Sequence, residues 1–271
     1  MVAINVARLE RIAEGREAEI FAWEEGRVLR LFRGPRPQWA LESEMAAMRA
    51  ARAVAPYVPD VFEIVEVEGR PGIVMERVEG TDLITLLGRK PWMVWRAGTV
   101  LGKVQARLHG VEAPPELPPL RERIERACGL PGMPPEIGER VRPLLAELPD
   151  GDRLCHGDFH PGNMLMTKRG PVVIDWPNVT RGDPTADYAR SALLLEMGSP
   201  PPGTPALVRY MEGIGRKLIA ASFRRAYTSA RPVDTELVRR WRVVRMADRL
   251  AGDGIPEERE LLLGMLREAL A

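Results

Sequence analysis

The chain has 271 residues, enough for one large domain or for two lobes sharing a cleft. Its 39 basic and 38 acidic residues nearly cancel, which removes any global electrostatic reason to expect nucleic acid or an anionic membrane as partner. No signal-peptide pattern or run of eighteen apolar residues occurs, and the two cysteines, Cys128 and Cys155, lack CxxC spacing, so the expectation is a cytoplasmic protein with reduced thiols.

In chain order, β-prone stretches on both sides of Glu25-Gly26 within residues 17–33 predict a hairpin, with Phe21, Trp23, Val28 and Leu29 among its apolar positions. From Gln38 to Val54 the period becomes helical, with Trp39, Leu41, Met45, Met48, Ala51 and Val54 apolar and Pro56 and Pro59 closing the helix. Residues 61–67 and 72–78 predict a second hairpin around Glu68-Gly69-Arg70-Pro71, so the first 80 residues read β-β-α-β-β. Thr81 and Asp82 open a helical stretch to about His109, interrupted at Gly88 and Pro91. The proline-rich residues 113–119 form a loop, and short strands return around 153–175. Helices follow over 183–197, about 205–228, 234–251 and 256–270, the first with Asp183 as N-cap and Pro184 at its first position. The expected fold is α+β, with a small sheet-rich N-lobe (1–79) and a larger helical C-lobe (80–271).

Two of the three histidines, His156 and His160, flank Asp158 in HGDFHPGNML, residues 156–165. On a strand, alternate side chains would share a face and could hold zinc. Pro161-Gly162 breaks such a strand, however, and His109 lies in a separate helical context. The competing reading adds Asn163, five residues after Asp158, and Asp175, which ends PVVID. Phosphoryl transfer needs one carboxylate to orient the attacking hydroxyl and accept its proton, with a carboxylate and an amide holding magnesium against the nucleotide phosphates. Strands Met164–Met166 and Val172–Asp175, joined at Lys168-Arg169-Gly170, would set Asn163 and Asp175 side by side.

HGDFHPGNML followed by VIDW and GDPTADYAR resembles the aminoglycoside phosphotransferase and choline kinase family, which has a protein-kinase-like bilobal fold. The resemblance implies transfer of a γ-phosphoryl group from ATP, or GTP, with Mg2+, to a hydroxyl of a small molecule. It makes Asp158 the catalytic base, Asn163 and Asp175 magnesium ligands, His156 a structural residue of the loop, and Asp187 the residue that holds the loop backbone. IAEGREAEIFAWEEGRVLRLF is similar to the family's phosphate-covering hairpin, with Gly15 to Ala18 as its turn. Glu44 stands where the family places the glutamate that fixes the phosphate-binding cation. IVMERVEG is similar to the hinge, where backbone near Glu76 and Val78 would pair with adenine. Without the resemblance, Glu44 reads as an exposed helix glutamate and the hinge as a buried strand. It chooses neither the acceptor, nor ATP over GTP, nor an oligomeric state.

The family's usual third-strand lysine is replaced by Arg30 in Val28-Leu29-Arg30-Leu31, and residues 1–89 contain no lysine. Arginine keeps the charge but changes length and planarity. Two readings follow, an active kinase adapted to arginine or a nucleotide-binding pseudokinase with impaired transfer; intact Asp158, Asn163 and Asp175 favour the first. Residues 201–271 hold 13 basic against 9 acidic residues. Arg242, Arg245 and Arg249 recur at helical spacing and read as a solvated face; the sharper reading is an anionic or neutral acceptor, which an acidic rim of Glu196, Glu212 or Asp248 would reverse. Trp92, Trp95 and Trp241 are expected mostly in the core, Trp176 near the phosphates, and His160 packed.

Overall fold

The computed structural model describes residues 6–15, 17–54, 58–197, 206–252 and 256–271; Pro56 and the side chain of Glu212 lie outside the described parts. The first part consists of β1 (Arg11–Glu14), β2 (Ala18–Ala22), β3 (Arg27–Phe32), α1 (Gln38–Val54), β4 (Val61–Val67) and β5 (Arg70–Glu76). Its five strands form one antiparallel sheet in the order β1-β2-β3-β5-β4. Alternate residues serve opposite faces. Ile73 packs with Phe32, Leu41 and Met45 beneath α1, while Val74 joins Phe21, Leu29, Leu31 and Val67 on the other side.

Two details differ from the sequence reading. β1 is an additional edge strand whose four residues are all exposed, held by pairing with β2 rather than by an apolar face. The turn between β4 and β5 is only Glu68-Gly69, at φ 54° and 75°, which is the two-residue hairpin geometry. Arg70 and Pro71 therefore belong to the strand, opposite Val67 and Glu66.

The remainder is largely helical: β6 (Thr81–Asp82), α2 (Leu83–Arg89), α3 (Val94–Leu108), α4 (Leu120–Ala127), α5 (Pro135–Ala146), β7 (Arg153–Cys155), β8 (Met164–Thr167), β9 (Gly170–Val173), β10 (Thr180–Gly182), α6 (Pro184–Met197), α7 (Ala206–Ala230), α8 (Thr235–Ala251) and α9 (Pro256–Leu270). Gly88 lies inside α2 and does not interrupt it; the break comes at Lys90-Pro91, where proline cannot continue the helix. Asp82 caps α2 by accepting the Thr85 amide at 2.9 Å. The strand Thr81–Asp82 pairs with β8, which ties the chain leaving the first sheet to the hairpin that carries the candidate site.

One core runs from Ala47, Met48 and Ala51 of α1 through Leu101 and Val104 of α3 to Trp176, Phe223 and Tyr227. A second joins α4, α5, α6, α8 and α9. Trp241 and Trp176 are buried, but Trp92 and Trp95 are exposed, against the expectation of core packing. Arg245 corrects another expectation: it is 0% exposed because α8 packs that face on α6, so the arginine repeat does not mark a solvated face. No helix among the described residues is long and apolar enough to cross a membrane.

Candidate active site

The loop between β7 and β8 turns immediately through Gly157, at φ 81°. Asp187, in the first turn of α6, accepts the His156 amide at 3.1 Å and the Gly157 amide at 2.7 Å. Its Oδ2 also meets Gln105 Nε2 and His109 Nε2, each at 3.1 Å. Burial pushes the Asp187 carboxyl up, but His109, Arg245 and His156 outweigh it and hold the group well below the ordinary carboxylate range. His156 accepts the Asp158 amide on Nδ1 at 3.3 Å, so Nε2 carries the proton and donates to the Ile174 carbonyl at 3.1 Å. Burial pushes the pKa of that ring down, and the ring packs at 4.6 Å on Trp176. Trp176 is itself buried and donates to the Val173 carbonyl, so it supports the loop from beneath instead of meeting a ligand.

This backbone is a loop, not a strand, which removes the alternation the zinc reading required. Among the described residues no group of three His, Cys, Asp or Glu is placed to hold a metal ion.

Asn163 Nδ2 donates to the Asp158 carbonyl at 2.9 Å and to Asp158 Oδ2 at 3.3 Å, which leaves the amide oxygen free as a donor atom. The Asn163 carbonyl accepts the Ile174 amide at 3.0 Å, next to Asp175. Asp175 is not on β9 but two residues beyond it, at φ 66°, and its side chain is 45% exposed. Asn163 is thus joined to Asp158 through its side chain and to the residue before Asp175 through its backbone. Asn163 and Asp175 offer hard oxygen donors, a set that fits Mg2+ completed by water and phosphate. His160 does not pack: its Nδ1 accepts the Gly162 amide at 3.0 Å, and its Nε2 lies 3.5 Å from Asp158 Oδ2. Burial raises the Asp158 carboxyl, but His160, then Arg190 and His156, hold it far below its ordinary value.

Across the site, Arg30 forks between two carboxylates, Nη1 to Glu44 at 2.5 Å and Nη2 to Asp175 at 2.6 Å. Glu44 is 2% exposed, so it is no solvated helix glutamate; burial raises its carboxyl against the pull of Arg30. The Gly15 amide donates to Ala18 at 2.8 Å and closes the turn into β2, while Arg16 lies outside the described residues. The Glu76 amide is taken by the Asp60 carbonyl at 2.8 Å, which removes it from any pairing with a base. The Val78 amide has no partner among the described residues. Three contributors escaped the sequence reading, Gln105, His109 and Arg190, since nothing local marks a helix residue that reaches the loop from a distance.

The sequence matches the family model described as the phosphotransferase enzyme family over residues 8–232. No curated protein is matched. Solved structures sharing the fold include an amicoumacin kinase in complex with AMP-PNP, Ca2+ and Ami (TM-score 0.64, 13% identity, 98% of this chain and 89% of that one). Aminoglycoside phosphotransferase APH(2'')-Ib bound to ADP aligns at TM-score 0.59 and 16% identity, over 99% and 93% of the two chains. An APH(2'') enzyme in complex with GDP and kanamycin aligns at TM-score 0.59 and 16% identity, over 98% and 94%. These likenesses establish the protein-kinase-like bilobal fold, α+β with an antiparallel N-terminal sheet and a helical C-terminal part. The family match spans most of the chain, which therefore belongs to the phosphotransferase enzyme family, whose members are small-molecule kinases.

Proposed function

We propose that this phosphotransferase moves the γ-phosphoryl group of ATP, with Mg2+, to a hydroxyl of a small molecule. The carrying observation is the hydrogen-bonded path from Asp158 through Asn163 to the backbone beside Asp175, whose carboxylate meets the cation Arg30. In this reading residues 1–79 cover the nucleotide, with Gly15 at the phosphate turn and the Glu76 carbonyl and Val78 amide as hinge groups. Residues 80–271 carry the loop and the acceptor pocket. The free, buried Cys128 and Cys155 suit the cytoplasmic setting proposed for it.

Asp158 accepts a hydrogen bond from the acceptor hydroxyl and thereby orients its oxygen toward phosphorus. Its lowered pKa keeps it ionised but makes it a weak base, so it takes the proton late, as the new oxygen–phosphorus bond forms. Glu44 fixes Arg30 through Nη1, and Nη2, which meets Asp175 in this structure, would turn to a phosphate oxygen when Asp175 takes the divalent cation. Asn163 and Asp175 would hold the divalent cation, which when bound neutralises charge on the phosphates. His156 and Asp187 keep the loop backbone in register for these contacts. The reading of a transfer-impaired pseudokinase finds no support, because Arg30 makes the contact to Glu44 that the usual lysine would make.

The test is release of nucleoside diphosphate from ATP or GTP with Mg2+ across a panel of hydroxyl compounds. Asp158→Asn is expected to lower kcat by about 10²–10⁴ while the melting midpoint stays nearly constant. An Asp158→Asn enzyme as fast as the parent would overturn the proposal.

A further inference from the structure

We propose that the acceptor carries an anionic group, a carboxylate or a phosphate, recognised by Arg123 and Arg190 beside Asp158. This rests on the hydroxyl phosphotransferase reading and names its substrate class. Arg30 and Glu44 meet Asp175 from the side of the first sheet, while Asp187 of α6 holds the Gly157 amide and Arg123 of α4 holds Asn178, whose carbonyl oxygen lies 2.3 Å from where a Cβ on Gly157, next to Asp158, would stand; we take that second side as the acceptor's.

That side is built of arginine. Arg190 follows Asp187 by three positions on α6, and its charge is felt at Asp158. Arg123 of α4 donates to the Asn178 carbonyl at 2.8 Å and to Asn178 Oδ1 at 3.2 Å, in the loop after Asp175. With Arg245 of α8 they converge on one carboxylate, Asp248, at 3.1 Å from Arg245 Nη1, 3.7 Å from Arg190 Nη1 and 3.9 Å from Arg123 Nε. Asn178 answers the fork of Arg123, which leaves Arg190 and Arg245 to share one carboxylate. Nε and Nη1 of Arg190, all three nitrogens of Arg245 and Asp248 Oδ2 are buried without a hydrogen bond, the carboxylate meeting the two cations only as an ion-pair neighbour, so unmet donors outnumber the one unmet acceptor. Buried charged donors lacking acceptors are unfavourable, and anion oxygens are the chemistry that fits them. Burial and the neighbouring Arg245 together bring the Arg190 guanidinium down to about 10, as expected for a cation short of counter-charge. Arg245 backs the cluster from within; Arg190 and the more open Arg123 are the contacting pair.

The carboxylates that a polycation would need are already engaged. Glu196 is held by Arg242 at 2.7 Å and by Arg224 at 3.4 Å, and Asp248 is enclosed as above. An ammonium group entering here would meet arginines and find those acids taken.

The test titrates the full chain, in saturating AMP-PNP and Mg2+ to reserve the nucleotide side, with glucose, gluconate, glucose 6-phosphate, choline and kanamycin, following the melting midpoint. Gluconate or glucose 6-phosphate is expected to stabilise the protein, the stronger of the two telling carboxylate from phosphate. Arg123→Gln should weaken that binding by at least about tenfold, and Arg123→Lys, which keeps the charge, by less. Stabilisation by glucose, choline or kanamycin alone, by none of the five, or an anion effect untouched in Arg123→Gln overturns the proposal. Arg123-dependent anion binding without Asp158-dependent turnover of ATP would instead sink the phosphotransferase reading, leaving the anion site but not its assignment to an acceptor. Turnover of a cationic or neutral acceptor alone would do the reverse.

Discussion

Arg30 and Asp175, 145 residues apart in the chain, meet at 2.6 Å, and the same guanidinium holds buried Glu44 at 2.5 Å. Each carboxylate takes a different terminal nitrogen of one planar fork, a geometry that the single ammonium of a lysine would not reproduce. Removing it strands a buried carboxylate, so Arg30→Met is expected to cost about 3 kcal/mol in urea unfolding near neutral pH. The double variant Arg30→Met, Glu44→Met should recover much of that loss. Arg30→Lys keeps a charge for Glu44 but loses the fork, and is expected to raise the nucleotide KM about tenfold, the equivalent of one charge-assisted hydrogen bond. Single and double variants equally unstable would refute the pairing.

Gly157 sits at φ 81°, and a Cβ there would lie 2.3 Å from the Asn178 carbonyl oxygen. Gly157→Ala therefore faces backbone strain of about 1–3 kcal/mol and a contact that only movement of the loop relieves. The movement displaces Asp158, the next residue. The expected result is a fall in kcat of about 10²-fold with nucleotide affinity nearly unchanged, read from steady-state kinetics and ADP titration. An unchanged kcat would show that the loop tolerates the shift.

Much of this was legible in the chain because it is local. The apolar repeat of Gln38–Val54 and the turn signal Glu68-Gly69 are each written within a few residues. So is the order of Asp158, Asn163 and Asp175. β1 was not legible, since four exposed residues carry no alternation and the strand exists only through its partner. Arg245 illustrates a different limit: helical spacing shows which residues share a face, not whether that face meets water or another helix. The reach of Gln105 and His109 to Asp187 crosses 82 and 78 residues, a contact set by the packing of α3 on the rest of the core and invisible to any local pattern.

α3 and α7 approach through Gly98 and Gly102, four positions apart and so on one helix face. A Cβ on Gly98 would lie 2.3 Å from the Ile219 carbonyl oxygen, and one on Gly102 2.5 Å from that of Phe223. Alanine gains about 1 kcal/mol of helix propensity at either site, but forcing apart two packed backbones costs about 1–3 kcal/mol. With backbone on the far side, the larger figure applies, and each variant is expected to lose about 2 kcal/mol. Gly88→Ala, inside α2 with open space around the new methyl, carries the propensity gain alone and should be stabilising. Urea midpoints moving in the same direction for Gly88→Ala and Gly98→Ala would contradict this account.

The two buried carboxylates that frame the site should respond to pH with opposite signs. Asp187 is depressed below its unfolded value of about 3.9, so its contribution to stability is present above that pH and is lost as pH falls toward the folded value. Glu44 is raised, so its contribution is present below the unfolded value of about 4.3 and is lost as pH rises through the folded one. Asp187→Asn puts an amide nitrogen against the backbone donors of His156 and Gly157, and should cost about 3 kcal/mol near neutral pH, shrinking below about pH 4. Glu44→Gln should become relatively more favourable as pH rises from about 4 toward neutrality. The comparison needs only unfolding free energies of the three proteins at several pH values. Because one carboxylate is held ionised by four converging donors and the other is answered by a single guanidinium, parallel pH profiles for the two variants would mean that the site is not organised around these hydrogen bonds.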